Sequence, residues 1–153
     1  MAFFIVVAQW GCGSDKPSDL WEEAELATAE QNMSKSIEAY GAFVRKFPGH
    51  EKAPVALKNW AAIAQQKEDM QGAITLYERL LSEYPQSDLG DEAQFMIAFI
   101  YEEYMNEIEK AREAYQRVID RYPNSELAAS AKQLLPHVGQ SPEEWVQFQD
   151  GVN

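Results

Sequence analysis

The chain has 153 residues, enough for one domain, and 46% of them are hydrophobic, which excludes disorder by composition. The 13 Lys and Arg residues against 25 Asp and Glu give a formal charge of −12, so the surface repels nucleic acid and anionic lipid heads. The single cysteine and two separated histidines exclude an intrachain disulfide and a cysteine-based metal site, and we expect neither a metal nor a cofactor.

The N-terminal segment, residues 1–17, contains the stretch that is typical of a targeting signal. Residues 3–8 form an apolar run that is too short for the ~20 residues of a membrane span but suits a signal-peptide core. Gly11 and Cys12 follow, and the arrangement resembles a bacterial lipobox, in which the thiol is acylated. The resemblance implies lipid attachment at Cys12 and a polar tether after it. The alternative is an apolar N-terminus folded against the helices, with an inert cysteine.

From residue 18 onward, apolar residues recur with the 3.6-residue period of a helix. The predicted helices are 18–31, 34–47, 51–67, 70–84, 88–105, 108–122 and 125–136. We assign residues 18–138 to one domain and residues 139–153 to a C-terminal tail. In the tail, Ser141 and Pro142 are typical of the first residues of a helix. Trp145 and Phe148 share one face of this predicted short helix, and we expect that face to pack on the domain.

An internal repeat runs through these helices. Each copy consists of a tyrosine, two spacers, two apolar residues, two polar residues and an aromatic–proline pair. The copies begin at Tyr40, Tyr77 and Tyr115, with spacings of 37 and 38 residues. The preceding helix of each copy carries a small residue at the same register: Ala24, Ala61 and Ala98. A single helix pair cannot bury its apolar stripe, so the repeat predicts three stacked pairs with helix 125–136 as the cap.

This pattern resembles the tetratricopeptide repeat in its longer bacterial variant. The residues that carry the resemblance are Ala73, Tyr77, Tyr84 and Pro85 in the second copy, and Ala111, Tyr115, Tyr122 and Pro123 in the third. The variant also resembles the repeats of bacterial outer-membrane assembly lipoproteins and of Tol-Pal system periplasmic proteins. The resemblance implies an all-α, right-handed α-solenoid that binds other proteins.

It also implies that the first helices of the three pairs line a concave groove. The positions that face the groove lie three before, one after and four after the shared alanine. The predicted partner-binding residues are Trp21, Lys58, Ala62, Gln65, Phe95, Phe99 and Glu102, with Glu25 and Thr28 completing the first pair. Lys58 could bind a peptide carboxylate. Phe95 and Phe99 have two interpretations, an apolar partner pocket or packing beneath the capping helix or the tail.

The residues that catalysis needs do not converge in this sequence. It has no glycine-rich phosphate loop and no His-Glu-x-x-His motif, and adjacent carboxylates such as Glu102 and Glu103 face different ways on a helix. We therefore expect a non-catalytic scaffold with a protein or peptide partner, no nucleic acid and no small-molecule substrate. Two settings remain open. One is a lipoprotein on the periplasmic face of a bacterial membrane that contributes to outer-membrane or envelope assembly. The other is a cytoplasmic adaptor or co-chaperone module without lipid.

Overall fold

The computed structural model describes residues 16–140, and this part of the chain is helical without any strand. The helices are α1 (Pro17–Ala29), α2 (Met33–Lys46), α3 (Ala53–Gln66), α4 (Met70–Glu83), α5 (Gly90–Phe99), α6 (Ile108–Arg121) and α7 (Glu126–Leu134). A π-helical turn, Ile100–Tyr104, extends α5, and a 3-10 turn, Leu135–His137, extends α7. The lipobox-like segment with Cys12 and the tail with Trp145 and Phe148 lie outside the described residues.

The helices pack in the order in which they occur in the chain. α1 pairs with α2, α3 with α4 and α5 with α6, each pair packs on the next, and α7 covers the last pair. This confirms the predicted α-solenoid of three helix pairs plus a C-terminal helix, and the predicted helix bounds agree with the observed ones to within two residues once the π-helical turn is counted with α5.

The repeat tyrosines and alanines form the centre of the core. Tyr40 and Tyr77 are 2% exposed and Tyr115 is fully buried. The three register alanines, Ala24, Ala61 and Ala98, are also fully buried. A small side chain lets the two helices of a pair approach closely, while each tyrosine fills the remaining space. The repeat tyrosines are therefore core residues in all three pairs.

The turn inside each pair places one residue in the left-handed conformation. These residues are Gln31, Glu68 and Asn106, with φ of 57°, 61° and 52°. A non-glycine residue there costs roughly 1–2 kcal/mol, although asparagine tolerates it better than glutamine or glutamate. In the first two pairs the next residue caps the second helix: the side chains of Asn32 and Asp69 accept hydrogen bonds from backbone N–H groups three residues on, at 3.1 and 2.9 Å.

The third pair is one residue longer than the second, and the π-helical turn accommodates the extra residue. The N–H of Asp69 donates to the carbonyl of Ala64, five residues back, at 2.9 Å. At the equivalent point in the third pair, the N–H of Glu107 donates to Tyr101, six residues back, at 2.8 Å. The insertion therefore lies between residues 101 and 107. Such π-helical turns are frequent at functional sites, and this one carries the predicted groove residue Glu102.

Candidate partner-binding groove

The repeat tyrosines hold two of the predicted groove residues. The hydroxyl of Tyr77 donates to Gln65 Oε1 at 3.0 Å, and that of Tyr115 donates to Glu102 Oε2 at 3.0 Å. Burial, with a smaller effect from the charge of Glu92, raises the pKa of Tyr77 to about 12. Burial and then the Glu102 carboxylate raise the pKa of Tyr115. Both phenols therefore stay protonated at neutral pH and keep their acceptors oriented.

The first pair differs because Thr28 occupies the position of Gln65 and Glu102. Its hydroxyl donates to the backbone carbonyl of Ala24 at 2.8 Å and lies 3.2 Å from the Ser36 hydroxyl. Tyr40 instead accepts a hydrogen bond from the Asn59 amide of α3 at 3.1 Å. The first tyrosine thus links two pairs, whereas the other two hold a side chain within their own pair.

Lys58 does not offer a free cation to a partner. Its ammonium lies 3.1 Å from a carboxylate oxygen of Glu92 at the start of α5. Both side chains are partly exposed, so the ion pair adds little to stability. It does neutralise the one lysine among the predicted groove residues, and the carboxylates of Glu25, Glu102 and the neighbouring Glu103 remain.

The aromatic groove residues Trp21 and Phe95 pack edge-on against the repeat tyrosines. Trp21 lies 5.8 Å from Tyr40 between ring centroids, and the Lys52 ammonium lies 4.4 Å from the Trp21 ring. Phe95 lies 5.3 Å from Tyr115. Both are half-buried, so each contributes to the core and also presents part of its ring at the surface.

Phe99 and Glu102 lie together in a cleft of about 430 Å³, which we call the groove cleft. Its lining residues are Phe99, Glu102, Glu103, Tyr115, Leu134, His137 and Gln140. The Phe99 ring also lies 6.0 Å from that of Tyr104, which is 55% exposed. The groove cleft therefore combines an apolar wall with two carboxylates.

The structure thus divides the predicted groove residues. Phe99 and Glu102 share the groove cleft, and the others lie along the first helices before it: Trp21, Lys58, Ala62, Gln65 and Phe95. Sequence reasoning missed Leu134 and His137, because α7 and its 3-10 turn were assigned only to capping. The signal that could have identified them is their place at the C-terminal end of α7, a helix that packs next to α5.

Within residues 16–140, no cluster of three or more His, Cys, Asp or Glu side chains could hold a metal ion. No helix in the described range is both long and apolar enough to cross a membrane. The groove cleft is lined by apolar side chains and by the carboxylates of Glu102 and Glu103.

Residues 60–87 and 92–125 match the tetratricopeptide repeat family. The sequence matches no curated protein. The N-terminal domain of stress-induced protein-1 (STI-1) from C. elegans has a similar structure, with TM-score 0.65 and 15% identity over 77% of this chain and 93% of that one. The Arabidopsis OM64 TPR domain has a TM-score of 0.59 and 13% identity, and the match covers 78% of this chain and 93% of that one. The Sgt2 TPR domain from Aspergillus fumigatus has a TM-score of 0.59 and 22% identity, and the match covers 86% of this chain and 82% of that one.

Two segments of the chain are therefore similar to tetratricopeptide repeats. At these identities the similar structures establish the fold alone. None of the three is an outer-membrane assembly lipoprotein or a Tol-Pal protein, so that part of the sequence resemblance gains no support.

Proposed function

We propose that the chain is a non-catalytic scaffold whose groove binds a segment of a protein partner, with the groove cleft as the main contact. The observation that carries the proposal is the composition of this cleft, where Phe99 and Leu134 face solvent beside Glu102 and Glu103. A volume of about 430 Å³ suits one or two large side chains of a bound peptide.

Charge indicates what the partner segment carries. Lys58 is neutralised by Glu92, the chain has a net charge of −12, and the carboxylates of Glu102 and Glu103 remain at the cleft. A segment with an apolar side chain next to a lysine or arginine would cover the Phe99 wall and pair with a carboxylate. Electrostatic complementarity of this kind sets the choice of partner and the rate of association.

Site-specific photo-crosslinking in native cells tests whether the partner binds at the groove cleft. A benzophenone amino acid replaces Phe99 in one variant and Thr75, an exposed residue of α4, in a control variant. We expect a covalent adduct to a protein from position 99 and none from position 75. Equal adducts from both positions, or none from position 99, would remove the groove from consideration.

A peptide array tests the charge argument. Glu103→Lys should weaken binding to peptides that combine leucine with lysine, because it introduces a like charge at the cleft. Glu109→Lys makes the same change at an exposed position of α6 outside the cleft and should leave binding unchanged. If both variants bind as the parent chain does, the groove cleft does not select basic segments.

Of the two settings, we place the cytoplasmic adaptor or co-chaperone module ahead of the envelope lipoprotein. Its support is the likeness to TPR domains of proteins such as STI-1 and Sgt2. Mass spectrometry of the native protein distinguishes the two settings. An acyl adduct on Cys12 with loss of residues 1–11 would establish the lipoprotein, and an unmodified Cys12 in a chain that retains those residues would establish the adaptor.

A further inference from the structure

We propose that the chain has a second binding site, separate from the groove, which takes an acidic peptide segment of a protein partner. The site is a cleft of about 480 Å³ between α4, α5 and α6, termed here the α4–α6 cleft. Its principal lining residues are Leu81, Gln94, Ile97, Tyr101, Arg117 and Arg121. It shares no lining residue with the groove cleft, because the two open on different sides of α5.

The first observation is a buried amide without a partner. Gln94 is 3% exposed, and its side chain makes no hydrogen bond to any other residue of the described range. No described residue has a polar side-chain atom that is both fully buried and unpaired, so the Gln94 amide must reach the cleft surface. Leu20 and Leu57 occupy the equivalent positions 74 and 37 residues earlier, and both are buried. The third pair thus replaces a core leucine with an amide whose polar atoms open into the cleft, which packing alone does not explain.

The second observation is a reversal of charge at the same cleft. In α4, Arg79 forms an ion pair with Glu83, one turn on, at 2.8 Å. Thirty-eight residues later, α6 has Arg117 and Arg121, so the equivalent of Glu83 is a second cation. Two like charges one turn apart are slightly destabilising in a helix. An anion bound between them would offset that repulsion.

The two arginines differ in how far they are paired within the described residues. Arg117 Nε donates to the backbone carbonyl of Glu113 at 3.3 Å, and the carboxylate of that residue is 3.8 Å from Nη2. Arg121 has no ion pair in the described range and is exposed. Lys110 also lines the cleft, but it is already paired with Glu107. Arg121 is therefore the available cation among the described lining residues, and Arg117, one turn before it, is held only by the long 3.8 Å contact with Glu113.

The remaining lining residues define the class of ligand. Guanidinium groups bind carboxylates through paired hydrogen bonds, and the Gln94 amide can donate to or accept from a peptide group. Leu81 and Ile97 form an apolar floor that a bare inorganic anion would leave uncovered. Glu78 and Glu113 at the rim disfavour a diffuse polyanion. These features together favour a peptide that alternates carboxylate and apolar side chains.

Methyl NMR of the full chain, titrated with an end-capped peptide of alternating glutamate and leucine, tests the site. We expect shifts of the Leu81 and Ile97 methyl signals, while those of Ile63, on α3 and outside the cleft, stay in place. Arg121→Glu should weaken the affinity by roughly tenfold, and Gln94→Leu should weaken it severalfold. Each variant restores the residue type of an earlier repeat, so both should fold, and circular dichroism verifies this.

Lys67→Glu is the matched control, because it makes the same change of charge at an exposed position at the end of α3. It should leave the affinity within about twofold, and a glutamine–leucine peptide should not bind. The proposal is overturned if Arg121→Glu has no larger effect than Lys67→Glu, or if the neutral peptide binds equally well. It is also overturned if inorganic phosphate displaces the acidic peptide at comparable concentration, since the site would then be a simple anion pocket.

Discussion

Replacing Tyr77 with alanine tests the repeat register at the centre of the solenoid. The ring is 2% exposed, and its hydroxyl donates to Gln65 at 3.0 Å. Truncating a buried aromatic residue to alanine removes its apolar contacts and leaves a cavity, for a loss of ~3–5 kcal/mol. Tyr77→Phe keeps the ring and removes only the hydrogen bond, for a loss of ~0.5–1.5 kcal/mol. The two substitutions therefore separate packing from hydrogen bonding.

Urea unfolding, followed by the helical circular dichroism signal, measures both effects. With a urea slope of ~1–3 kcal/mol per molar, Tyr77→Ala should lower the midpoint by roughly 2 M. Tyr104→Ala is the matched control, since it makes the same chemical change at a tyrosine that is 55% exposed. We expect that control to stay within ~0.5 kcal/mol of the parent chain.

Equal midpoints for Tyr77→Ala and Tyr104→Ala would refute the register, because they would place Tyr77 outside the core. Repeat proteins can unfold in more than one step, so free energies require a single transition. Coincident transitions by circular dichroism and tryptophan fluorescence establish that condition.

Three further predictions concern stability. Because the pKa of Tyr77 is about 12 in the folded chain against an ordinary value of 10.0, the unfolded chain ionises first, and stability should fall as pH rises from 10 towards 12. Tyr77→Phe should make that fall shallower in urea titrations, and an unchanged pH profile would contradict the assignment. Glu68→Gly should stabilise the chain by ~1 kcal/mol in thermal unfolding, because glycine adopts the left-handed conformation of residue 68 without strain. Glu38→Gly, at an exposed position in α2, should destabilise the chain by ~1 kcal/mol, because glycine is a poor helix former. Gln94→Leu should stabilise the chain by ~1 kcal/mol, because it replaces a largely buried amide with the leucine of the first two pairs, and a loss of stability would mean that the amide makes a stabilising hydrogen bond.

The helices and the threefold repeat of the tyrosines are predictable from the amino-acid sequence. Helix formation depends on neighbours three and four residues apart and on prolines at helix ends, and both are visible in a short stretch of sequence. Threefold repetition turned a weak local signal into a strong one, because Tyr40, Tyr77 and Tyr115 had to occupy equivalent environments. The extra residue of the third pair was also visible, as a spacing of 38 in place of 37.

The charge state and pairing of the predicted groove residues depend on contacts between helices that are distant in the sequence. Lys58 is neutralised by Glu92, which lies 34 residues further on, and no local sequence pattern predicts that ion pair. The alignment of repeats could have shown that Gln94 replaces a leucine, but the absence of a partner for its amide follows from packing. Contacts between side chains of different helices depend on interhelical distance and rotation, which the 3.6-residue period leaves undetermined. The helices were therefore predictable from the sequence, while the state of each polar side chain at the two clefts was not.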